Sequence, residues 1–347
     1  MSNFSSRVLL VLVILLIACS GCIKPKDILS KGIADVDDLV VFATAAPDNI
    51  LVYSVNKGKM EHSLPADTRL NDMAVAKKGD IAYVVTKNGW LNVFNIKTGH
   101  RTGRVRIGTV LQSVALSADE KYLAIGVGSE EDYNAHDISI RATDDIGNEI
   151  LHLPLRGDIQ DLVANPVTPE LYILNTNADK VRVFDFNEKV LTGIVALGGS
   201  PSTLTVSPDG KKIYATLNAR SAVQVIDANS HENLVRHELP GSAPHYVAFS
   251  PDGKQAAITD REKFRIYFID NQKDEILGYK NFPDYLKYSL YPEIIAWSSE
   301  SRYLYIVSST HSDFRVIDTK TMQMVQNYSL PKSPSAMHII LHAENTE

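Results

Sequence analysis

Few residues in this 347-residue chain combine the type and the spacing that chemistry needs. Two histidine–glutamate pairs, His231-Glu232 and His237-Glu238, stand six residues apart. On a strand that spacing puts both imidazoles on one side without a third ligand, so they read as surface residues. The run Thr143-Asp144-Asp145-Ile146-Gly147-Asn148-Glu149 is acidic but has neither the ligand spacing nor the length of a calcium loop. There is no G-x-S-x-G nucleophile elbow and no H-E-x-x-H zinc motif. Both cysteines, Cys19 and Cys22, lie near the N-terminus, so the rest of the chain has no disulfide, thiolate ligand or cysteine nucleophile. What remains is His245 with Glu293, a base and a carboxylate to orient it, provided the fold brings them together.

The elements that would do so recur along the chain. Ser207-Pro208-Asp209-Gly210 and Ser250-Pro251-Asp252-Gly253 each follow one apolar strand and precede another. A third strand then ends in Val225-Ile226-Asp227 or Phe268-Ile269-Asp270. Equivalent positions return every ~42 residues, which with four strands per unit is the signature of a β-propeller. Pro at the second position of the turn has its φ preset, and Asp and Gly suit the next two, as in a type I turn. Asp227, Asp270 and Asp318 close third strands, where a carboxylate can accept backbone N–H groups. These residues read as structural.

With the strands of each blade lettered A to D, seven B strands run Val40–Thr44, Ala82–Thr86, Tyr122–Val127, Leu171–Asn175, Ile213–Leu217, Ala256–Thr259 and Tyr303–Ser308. Only six A strands precede them, and the first blade has none. The apolar stretch Pro334 to His342 has no B strand after it and is expected to supply the missing strand, closing the ring between the chain ends. The expected architecture is thus all-β, a seven-bladed propeller over residues 38–347 with four antiparallel strands per blade.

Antiparallel order puts the D–A connections and B–C loops on one face. A strands begin at Asn71, Gln112, Gln160, Ser202, His245 and Glu293, with Ser335 or Met337 in blade 1, and these positions should ring the channel mouth on that face. Such a polar, amide-rich ring can hydrogen-bond a small polar ligand or hold water. Two connections exceed what the fold needs. One is the B–C loop of blade 3, Ser129 to His136, with Tyr133; the other is the D–A connection of blade 6, Gly278 to Tyr291, with Phe282, Tyr285 and Tyr288. Both fall on the same face, where added loop length commonly carries binding.

The N-terminus sets the expected address. Arg7 precedes an apolar run, Val8 to Ile17, long enough for a signal-peptide core and too short to span a bilayer. It ends in Leu16-Ile17-Ala18-Cys19, which resembles the lipobox of bacterial lipoproteins. The resemblance implies cleavage after residue 18, lipidation of Cys19 and a tether over residues 19–37; Cys22 is the alternative acceptor, and an ordinary cleaved signal peptide the alternative reading. Ser20 after the cysteine favours the outer membrane where a cell has two membranes. A formal charge of −6 excludes the basic field that nucleic acid needs.

The run Pro244-His245-Tyr246-Val247-Ala248-Phe249-Ser250-Pro251-Asp252-Gly253, followed by a strand and a second strand ending Ile-Asp, resembles the YVTN-type, WD40-like propeller repeats of bacterial and archaeal envelope proteins. The resemblance covers about residues 38–342 and is strongest in blades 5 and 6. Activities vary widely in that group and in its relatives, the seven-bladed lactonases, so fold alone does not assign one. The histidine sets of haem- or copper-binding propellers and the tryptophan motifs of quinone-dependent ones are missing, so no cofactor and no metal are expected. The expectation is a monomeric, lipid-anchored module that binds an envelope protein or a glycan through the loop-rich face and touches the membrane only through its anchor. A lactonase-like hydrolase using His245 and Glu293 is the alternative, and an accessory cofactor-carrying subunit stands third.

Overall fold

A computed structural model describes residues 33, 36–44, 49–66, 69–129, 135–156, 159–175, 179–199, 201–281, 294–307, 312–331 and 334–340. Twenty-eight strands, β1 to β28 in chain order, form seven antiparallel sheets of four. The only helical element among the described residues is one 3-10 turn, Asn218–Arg220. The innermost strands of blades 2 to 7 are β4 (Leu70–Val75), β8 (Val110–Leu116), β12 (Ile159–Ala164), β16 (Leu204–Val206), β20 (Pro244–Phe249) and β24 (Ile294–Trp297).

Ring closure is as expected. β28 (Pro334–Ile340) pairs with β1 (Leu39–Thr44), which pairs in turn with β2 (Asn49–Ser54) and so reaches β3 (Lys59–Pro65). The first and last strands therefore share a sheet, and blade 1 has four strands like the other six. The joint with blade 7 is aromatic: Phe314 stacks within 5.1 Å of Phe42 and Tyr53 and 4.7 Å of Tyr328, centroid to centroid. Asp38, just before β1, accepts the Tyr305 hydroxyl at 2.6 Å and the Ser299 N–H at 3.2 Å, pinning the chain's entry to blade 7.

The core lies between blades, not within them. B strands such as Ile81–Thr86 and Lys212–Leu217 are buried almost end to end, because each face meets a neighbouring blade. That is why they read as continuous apolar runs. Outer D strands such as His100–Arg106 and Val190–Ala196 are mostly exposed.

The turn motifs behave as their chemistry dictates. Ser207 and Ser250 hydroxyls each donate at 2.6 Å to Asp209 and Asp252 and accept the N–H of Lys212 and Gln255. Gly210 sits at φ 71° with its N–H on the Ser207 carbonyl, a conformation that favours glycine. Asp227, Asp270 and Asp318 each accept two backbone N–H groups of the following turn. Residues 143–148 lie between the third and fourth strands of blade 3, where a turn is needed, and Glu149 opens the fourth strand.

The histidine pairs depart from the expectation. His231, at φ 58°, precedes the outer strand and bonds Glu170 of the neighbouring blade at 3.0 Å. His237 is buried at 6% exposure, beside Asp274 and Lys212. Simple alternation mispredicts both, because an outer strand here also touches the next blade.

Candidate functional site

The mouth positions share a backbone device. In four A strands the register with the B strand slips where the candidate stands: around Asn71 in β4, Gln112 in β8, Gln160 in β12 and His245 in β20. In blade 1 the slip falls at Ser335. A bulge of this kind re-aims side chains and ends regular pairing, so the polar positions and the bulges coincide for one reason. Ser202 lies just ahead of β16 and donates its N–H to the Thr216 carbonyl. Glu293, Tyr133, Phe282, Tyr285 and Tyr288 lie outside the described residues, so the pairing of His245 with Glu293 and the two long loops stay as expectations.

The A strands enclose a cavity of about 630 Å³ on the propeller axis. Asn71, Gln112, Gln160, Ser202 and His245 are among the residues that line it. Part of their hydrogen-bonding capacity joins blades. Asn71 donates to the Leu111 carbonyl of the next blade at 2.6 Å, whereas Gln112 meets His136 of its own blade at 3.0 Å. Thr203 donates to the carbonyl of His245 at 2.7 Å and Thr205 to that of Val247 at 2.9 Å.

One position further along each strand the cavity gains groups the ring reading had missed: Asp72, Asp161, Tyr246 and His338. Asp72 accepts the N–H of Met73 at 2.8 Å and that of Val114, in the next blade, at 2.9 Å. Asp161 accepts the N–H of Leu204 across the boundary of blades 4 and 5 at 3.3 Å. Their accessible surface faces the cavity, while protein surrounds them on the other sides. Burial pushes Asp72 up to about 6 against the pull of its backbone donors. Asp161 is pushed up to about 7, by burial first and then by the charge of Asp72. The Tyr246 hydroxyl is raised by burial and by both carboxylates, and burial lowers the His338 imidazole. The sequence does carry a signal for the acids: Asn71-Asp72 and Gln160-Asp161 place a carboxylate beside an amide inside otherwise apolar inner strands.

Among the described residues no group of three or more His, Cys, Asp or Glu side chains could hold a metal ion. No helix among them is long and apolar enough to cross a membrane.

No family model and no curated protein matches the chain. Solved structures do. A functionally unknown protein of Desulfotomaculum acetoxidans superimposes with a TM-score of 0.75 at 13% identity, over 87% of this chain and 98% of that one. The periplasmic gluconolactonase PpgL of Pseudomonas aeruginosa gives 0.71 at 17% identity, over 88% and 99%. The fold is a seven-bladed β-propeller. Dihydro-heme d1 dehydrogenase NirN, in complex with DHE, matches at 0.66 and 13% identity, over 88% of this chain and 75% of that chain. At such identities the propeller shares an architecture with these proteins, and their activities do not transfer.

Proposed function

We propose that this propeller is an envelope binding module, lipid-anchored through Cys19, that takes a polar, saccharide-like ligand at its axial channel. The observation that carries the reading is the cavity of about 630 Å³ ringed by amides, hydroxyls and two carboxylates. It falls within the ~300–1,000 Å³ of small-molecule sites. The bulges support it further, because the register slips in four blades coincide with polar residues that line the cavity, Asn71, Gln112, Gln160 and His245. The lipobox-like Leu16-Ile17-Ala18-Cys19 supports the anchor, and the YVTN-like repeats support an envelope setting.

The test is a saccharide panel titrated calorimetrically into the native protein and into Gln160→Trp. Gln160 is an exposed residue of the mouth, so the indole should obstruct entry with the melting temperature unchanged. A ligand that binds the native protein and loses about tenfold or more in the variant supports the reading. Equal binding to both overturns it.

A hydrolytic reading has one observation in its favour. Asp161, held near 7, lies where a general base works best at neutral pH. Gluconolactone turnover abolished by Asp161→Asn is the expected result of that reading, and no turnover by the native protein would end it.

A further inference from the structure

Elsewhere in the molecule, buried and half-buried carboxylates meet side-chain donors, most of them arginines. Asp260 receives Arg265 at 2.9 Å, Asp318 receives Arg302 at 2.9 Å and Asp313 lies 3.3 Å from Arg315. Asp38 has the Tyr305 hydroxyl. Asp72 and Asp161 are treated differently: the hydrogen bonds they accept come from backbone N–H groups alone. Among the described residues lining the cavity there is no lysine and no arginine; the other titratable groups facing it are His245, Tyr246 and His338. Ser113 lines the same cavity at 3% exposure, and its hydroxyl has no hydrogen-bond partner.

Two carboxylates that feel each other's charge, in a protein-walled cavity without an internal cation, make the ionised state costly to the fold. Asp72 takes its two backbone donors on separate oxygens, Met73 on Oδ1 and Val114 on Oδ2, so these bonds use both oxygens but bring no positive charge to offset two ionised carboxylates. Each ionised carboxylate also has about four acceptor positions, of which backbone donors fill at most two.

We propose that the channel ligand carries a protonated amine and that Asp72 and Asp161 hold its ammonium group. This rests on the channel-binding reading above and adds the charge of the ligand to it. An ammonium brings three donors and the charge the cavity wall lacks. Its binding favours the doubly ionised pair, so protons leave the aspartates as it enters near neutral pH. Affinity then falls as pH drops from about 7 toward 5, where the pair takes its protons back.

The experiment is calorimetry on the full-length, detergent-solubilised protein with three sugars that differ only at C6. These are 6-amino-6-deoxyglucose, glucose and glucuronate, each titrated at pH 7.5 in two buffers of different ionisation enthalpy. The amino sugar is expected to bind about tenfold or more tighter than glucose, with proton release, and glucuronate to bind weakest. Asp72→Asn and Asp161→Asn should each erase that preference, and a cooperative melting transition retained in each variant shows that the fold persists. Glucose binding as tightly as the amino sugar, or glucuronate binding more tightly, would overturn the amine assignment and leave the channel reading standing. Binding of none of the three would overturn both.

Discussion

At the scale of the residue, Asp72 and Asp161 are the most consequential side chains, and stability tests them independently of any ligand. Their folded pKa values, about 6 and about 7, lie above the ordinary aspartate value. Below pH ~4 both states of the chain keep the protons and nothing is lost. As pH climbs past 4 the unfolded chain releases them first, so stability falls until the folded pair has ionised near 7. Asp161→Asn should therefore stabilise the fold at pH 8, by a few kcal/mol at most, raising the melting temperature there and leaving it unchanged at pH 3.5. Differential scanning calorimetry at the two pH values reads this directly, and an equal effect at both would rule it out. The acids were hard to find in the sequence because a single Asp at a strand start looks the same whether it caps a backbone or faces a cavity. Only the convergence of blades 2 and 4 on one axis separates the two. His237 failed for a related reason: alternation along its own strand is blind to Asp274 of the neighbouring blade.

At the scale of the element, the repeat was legible because its punctuation is chemical. Ser250, Asp252 and Gly253 fix a turn through the serine–aspartate bond at 2.6 Å and a glycine at φ 68°. Asp252→Ala should cost about 1 kcal/mol, a melting shift of about 2 °C, with channel binding untouched. Ring closure was legible as well, from a strand without a partner at each end of the count. Its seat is narrow: a Cβ on Gly79, at φ 66°, would stand 2.0 Å from the Ile340 side chain. Deleting everything from Pro334 onward bares the inner edge of β1 and removes buried Met337 and Ile340 from the core. Loss of cooperative melting and concentration-dependent aggregation are the expected results, checked by calorimetry and light scattering. A truncated chain that still melted sharply would show closure to be dispensable. The bulges, by contrast, could not be read as such: polar residues stand where they fall, at Asn71, Gln112, Gln160 and His245, but a register slip belongs to two strands and is invisible in either alone.

At the scale of the whole molecule, the proposed anchor makes its own prediction. Cys19→Ser should abolish palmitate incorporation and move the protein from the membrane to the soluble fraction, whereas Cys22→Ser should do neither. The opposite pattern would assign lipidation to Cys22. The entry of the chain into the propeller then acquires a mechanical meaning. Ile33 bonds Val55, Asp38 is clamped to blade 7, and β1 lies between β28 and β2 with neighbours on both edges. A tug on the anchored end, from envelope growth or a swaying partner, would be delivered along the axis of an interior strand. It would load two hydrogen-bonded ladders in shear together instead of unzipping one from a free end. The strand that locks the ring is paired with the strand that takes the pull, so tension from the membrane would be borne by the very seam that closes the wheel.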